Sequence, residues 1–155
     1  MTARVVSSLA IAGLAVLLAN PVGAQDIPRP VIETALRHVV EHREGRVVLN
    51  IDRFPNADVA RSVAGAMSMR AASKADVVQC SDDKETCHIL GPETTVISLT
   101  ESRASGGDFI LRLVISTQAE RPDGSTRLFP TLREITVSRV DGRWTVTRDE
   151  TLMRG

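Results

Sequence analysis

The chain has 155 residues, of which 43% are apolar and 25% charged, enough for one domain with its own core. Nineteen Lys and Arg balance nineteen Asp and Glu, and the basic residues are scattered, which excludes the electrostatic footprint of a nucleic-acid-binding protein. Phe54, Phe109, Phe129 and Trp144 are the only aromatics, too few for a platform that stacks sugars or bases.

Met1–Arg4 carry one positive charge and Val5–Ala19 are almost wholly apolar. Asn20-Pro21 break that run, and Val22-Gly23-Ala24 place small residues before Gln25. This is the pattern of a cleaved secretory signal peptide over residues 1–24, with one α+β domain over residues 25–155. The apolar run is shorter than the roughly 20 residues a spanning helix needs. The expected location is therefore periplasmic or extracellular, with no membrane association after cleavage.

Pro30 opens a predicted helix over Val31–Arg43, with Ile32, Ala35, Leu36, Val39 and Val40 at helical spacing and Gly45 as its stop. Arg46–Phe54 alternates as a strand, and its polar Asn50 and Asp52 predict a half-buried face. Asn56 caps a second predicted helix over Ala57–Ala72, with Asp58 in its first turn and Arg70 in its last. Val77-Val78 and Ile89-Leu90 flank Cys80 and Cys87, which reads as two short strands clamped by a disulfide. Six residues between the cysteines argue against a redox pair, which favours Cys-x-x-Cys.

Antiparallel sheet follows. Thr95, Ile97 and Leu99 share one face of a strand over Thr94–Ser102. After the Ser105–Asp108 turn, Phe109, Leu111, Leu113 and Ile115 share a face, with Arg112 and Ser116 opposite. Asp141-Gly142 is the signal of a type I′ turn. It pairs Val140 with Arg143, Arg139 with Trp144, Val137 with Val146 and Ile135 with Arg148, and puts Ile135, Val137, Trp144 and Val146 on one face.

Helices early and strands late predict an α+β fold, with two helices on one face of a curved, mostly antiparallel sheet. The final Val137–Val146 hairpin, with its Asp141-Gly142-Arg143-Trp144 tip, and the coarse element order resemble NTF2-like and cystatin-like domains. The resemblance implies a pocket between helix and sheet and carries over no catalytic residue.

His38-Val39-Val40-Glu41-His42 matches the H-x-x-E-H pattern of inverted zincins, two histidines one turn apart with Glu as base. A catalytic zinc takes three protein ligands, and no third is placed beside this helix. His88 beside Cys87 reads as a surface strand residue, and Asp82, Asp83 and Glu85 as a solvated hairpin tip. Arg139 opposite Trp144 reads either as a ligand or partner clamp or as a cation–π lid. With no complete catalytic set, the sequence points to a non-enzymatic module without a cofactor. Such a module binds a small apolar ligand or a protein partner. A cystatin-like inhibitor and a zinc hydrolase using His38, Glu41 and His42 are the alternatives. Intact-mass analysis of exported protein is expected to show loss of residues 1–24 and no alkylatable thiol; two free thiols would contradict this reading.

Overall fold

Helix α1 (Arg29–Val40) starts the fold in the computed structural model, which describes residues 26–83 and 86–155. The leader read from residues 1–24 lies outside the described residues. Pro30 in the first turn needs no N–H partner there, and Val31, Ile32, Ala35, Leu36 and Val39 form the buried stripe. The helix ends three residues before the expected Arg43: Glu41 is its C-cap, and Gly45 takes φ of +90° further on.

Strand β1 (Val47–Asn50) is shorter than expected, and Val48, Leu49 and Asn50 are all buried. The expectation of a half-buried face fails because β1 is internal and parallel to both neighbours. It pairs with β2 (Arg70–Ala72) on one side and β5 (Thr95–Ser105) on the other. Parallel strands are characteristically covered on both faces.

Helix α2 (Ala57–Ala66) begins at Asn56, whose side-chain oxygen accepts from the Val59 N–H at 3.1 Å. The expected continuation to Ala72 does not occur, and Arg70 belongs to β2 instead. A Schellman turn ends the helix: the Met69 N–H reaches the Ala64 carbonyl at 2.8 Å and the Ser68 N–H reaches Gly65 at 3.1 Å. Ser68 holds the left-handed position at φ of +56°, normally a glycine's. Gly65 lies one residue inside the helix end and no Gly or Pro follows it, so the Ala-rich periodicity ran through the stop.

A one-turn helix α3 (Lys74–Val77) leads into β3 (Val78–Cys80), which pairs antiparallel with β4 (Cys87–Ile89). Cys80 faces Cys87 and the two sulfurs form a disulfide, as expected. The main sheet continues with β6 (Asp108–Glu120), β7 (Thr126–Val140) and β8 (Arg143–Arg154). Its order is β2-β1-β5-β6-β7-β8, antiparallel from β5 onward, so the α+β class with a mostly antiparallel sheet is observed.

Asp141 and Gly142 both take positive φ, and Val140–Arg143, Arg139–Trp144 and Val137–Val146 pair as the I′ turn requires. The expected Ile135–Arg148 pair does not form. A β-bulge between Thr136 and Val137 shifts the register, and Ile135 faces Asp149. One extra residue, Thr147, thereby turns Asp149 onto the face that carries Ile135.

The core divides by strand parity. Leu49, Ile97, Leu99, Leu111, Leu113, Ile115, Ile135 and Val137 join the inward residues of α1 and α2 in one cluster. Val48 and Val96, of opposite parity, join Val77 and Ile89 in a second, beneath the disulfide hairpin. Trp144 is half-buried at the margin of the first cluster, its ring edge-on to Phe109 at 5.6 Å. Because Ser68 carries a Cβ in a left-handed conformation, Ser68→Gly is expected to raise stability by about 1 kcal/mol. Denaturant unfolding of the two proteins checks this, and a destabilised glycine variant would contradict it.

Candidate functional site

The best-formed cavity lies on the second face of the sheet, where the disulfide hairpin overhangs it. Its volume is about 560 Å³. Val96 and Ser98 of β5, Val114 and Ser116 of β6, and Leu128 and Pro130 of β7 supply its floor, and Val78 and Cys87 line the hairpin side. These residues share a face because β5, β6 and β7 run in register: Val96 pairs with Ser116 and Ser116 with Pro130, while Ser98 pairs with Val114. The floor is thus a mixture of aliphatic and hydroxyl groups rather than a sealed core.

A short polar network shapes one end. Asn50 is buried; its Nδ2 donates to Ser98 Oγ at 3.1 Å, and its Oδ1 accepts from the Asp52 N–H at 3.1 Å. Asp52 Oδ2 accepts in turn from the Lys74 N–H at 2.9 Å. These bonds satisfy the buried amide and tie the loop after β1 to the start of α3. On the other side Gln118 Oε1 accepts from the Ile89 N–H at 2.6 Å, anchoring β4 to the end of β6. The hairpin is therefore held over the sheet by its disulfide, by buried Val77 and Ile89, and by this side-chain bond.

A second constellation joins α1 to the last hairpin. His38 Nε2 donates to Asp149 Oδ2 at 2.8 Å. Arg133 grips the same carboxylate with both Nε and Nη2, the former at 3.0 Å from Oδ1. Burial acts to raise the Asp149 pKa, but the hydrogen bonds and charges of Arg133 and His38 outweigh it and hold the carboxyl below its ordinary value. Arg43 sits alongside, its Nη1 donating to Thr117 Oγ1 at 3.3 Å. A carboxylate that orients an imidazole is half of a nucleophilic apparatus. The small cavity here is lined by His38, Val39, His42, Arg43, Arg133 and Asp149, with no hydroxyl or thiol for the histidine to activate.

The zinc motif reads differently in three dimensions. The helix ends at Val40, so Glu41 is its cap and His42 lies beyond its last turn, while His38 is engaged by Asp149. Glu41 keeps helical φ and ψ, so His38 and His42 still line one small cavity, but the His38 ring there is taken up by Asp149. Among the described residues, no three His, Cys, Asp or Glu side chains group closely enough to hold a metal ion. Arg139 and Trp144 are paired across the hairpin as expected, with the guanidinium engaged elsewhere than over the indole. The Arg139 Nε donates to the Gly142 carbonyl at 3.3 Å, and Trp144 packs on Phe109. His88 is exposed.

Sequence reasoning placed Ser116 on the face opposite the core but missed the cavity above it. Its signal is the alternation of Val96, Ser98 and Thr100 with the core residues of β5. Comparison of the chain with protein-family models, curated proteins and solved structures gives no match.

Asp149 is expected to stabilise the fold through Arg133, which is only 20% exposed. Asp149→Ala should cost about 1–3 kcal/mol, since it leaves a largely buried guanidinium without its partner. The folded-state pKa of Asp149 is depressed, so the unfolded chain takes up the proton first. The contribution is then complete above about pH 4–5 and is lost as pH falls further. Urea titrations of both proteins from neutral pH into acid should show their stability difference shrinking; a constant difference would contradict the assignment.

Proposed function

We propose that the protein is an exported, non-enzymatic binding module whose cavity beneath the disulfide hairpin holds a small ligand with an apolar body. The single observation that carries this reading is the cavity itself. At about 560 Å³ it falls within the roughly 300–1,000 Å³ of ligand clefts, with an aliphatic floor and a few fixed polar groups. In this reading α1 and α2 cover one face of a curved sheet of NTF2-like or cystatin-like shape. The pocket then lies on the face away from those helices, not between helix and sheet. Export is supported by the signal-like leader and by the Cys80–Cys87 disulfide, a bond that persists in oxidising compartments.

A neutral fluorescent probe tests the reading. N-phenyl-naphthylamine is expected to bind the mature protein saturably, one dye per chain, with enhanced emission. Ser116→Phe and Val114→Phe each fill the floor and should abolish the signal in protein shown by circular dichroism to be folded. His38→Ala, on the other face, should leave it unchanged. Binding that persists in both folded phenylalanine variants, or no saturable binding at all, would overturn the proposal.

A further inference from the structure

We propose that the ligand carries a neutral carbonyl group on an apolar body, its oxygen accepting hydrogen bonds from Asn50 and Ser98; this rests on the reading of the cavity as a ligand site. The observation behind it is a surplus of donor hydrogens at the polar end of the cavity. Asn50 is only 6% exposed and stands beside Ser98 in the register of β1 and β5, so both side chains line the cavity face. A neighbour settles which way the Asn50 amide points. Its Oδ1 accepts the Asp52 N–H, so Nδ2 is the atom turned to Ser98 Oγ. That nitrogen carries two hydrogens; one goes to Ser98, and the other has no acceptor among the described residues. The Ser98 hydroxyl accepts from Asn50 and keeps its own hydrogen to donate, again with no acceptor among the described residues.

Water serves such hydrogens until a ligand displaces it. A ligand that covers the half-buried Ser98 must then offer an oxygen of its own, because a donor left buried and unpaired loses its full hydration. An ammonium group has only hydrogens to offer, and an alkyl group has nothing. A carbonyl oxygen has two lone pairs, one for each donor. The acid of the lining, Asp52, is exposed, so its carboxylate stays in water and calls for no donor on the ligand. A charged acceptor would have to leave water for two neutral donors, which costs more than moving a neutral carbonyl. Beyond Ser98 the lining turns apolar: Val114 is its cross-strand neighbour on β6, and Leu128 and Pro130 of β7 continue the floor. The remainder of such a molecule lies there.

Displacement of N-phenyl-naphthylamine from the mature protein by three probes tests the proposal. Methyl hexyl ketone only accepts, octylammonium only donates, and the isosteric alkene, with a methylene in place of the carbonyl oxygen, does neither. The ketone is expected to displace the dye at lower concentration than octylammonium. Ser98→Ala should weaken the ketone roughly three- to tenfold and leave the alkene and the dye unchanged. Asn50→Asp exchanges the donor for an acceptor and keeps the bond to the Asp52 N–H, so octylammonium should then displace the dye before the ketone. Should that variant fail to fold, Ser98→Ala decides alone. Equal losses of ketone and alkene in Ser98→Ala, no loss of either, or octylammonium binding the unaltered protein as tightly as the ketone would overturn the carbonyl assignment and leave the cavity reading intact. So would a failure of all three probes to displace a dye that binds. Failure of the dye itself to bind would overturn both.

Discussion

Strand β1 is buried on both faces, and much of the architecture answers to that constraint. Val48 and Leu49 are neighbours in the chain, so their side chains leave the sheet in opposite directions, yet both are fully buried. A sheet with apolar residues on each side of its centre must be covered twice. Leu49 shares its cluster with residues of α1 and α2, and Val48 shares its own with Val77 and Ile89 of the small hairpin region. The second cover is much the smaller. Among the described residues four buried ones form its cluster, and the part of the sheet face it leaves uncovered is where the cavity lies.

The incompleteness of that cover gives the cavity its chemistry. A hairpin with three-residue strands cannot span the long strands β5, β6 and β7, so their outward residues need not all be apolar. Val96 lies under the hairpin and is buried, while Ser98 and Thr100, further along the same face, are progressively more exposed. The disulfide closes this small unit across a loop too short to be held by a core of its own. Asn50 and Asp52 then fasten the approach to the hairpin through the backbone of neighbouring loops. The groups that line the cavity are thus carried on strands and on a clamped hairpin, a rigid setting.

On the opposite face a single inserted residue decides the electrostatics. Without the bulge at Thr147, two-residue alternation would send Asp149 outward beside Glu134. With it, Asp149 points toward α1 and receives both His38 and Arg133. The ion cluster joins the first helix to the last two strands, elements separated by nearly the whole domain in sequence. It also engages His38, the residue that local spacing had offered to a metal.

What the sequence determined by itself is what depends on near neighbours. The buried stripe of α1, the Asn56 cap, the disulfide hairpin and the turn at Asp141-Gly142 each rest on side chains within a few residues of one another, and each is observed. The α+β class follows from their order. The sequence did not disclose the stop after Ala66, because a serine occupies a position whose usual signal is glycine. Nor did it disclose the parallel pairing of β1, since partners on both sides are chosen across long stretches of chain. The cavity floor was half legible: alternation separates Ser98 and Ser116 from the core. That the hairpin overhangs them depends on contacts between residues distant in sequence. Such contacts are decided by which surfaces can be buried together, and only the folded chain decides that.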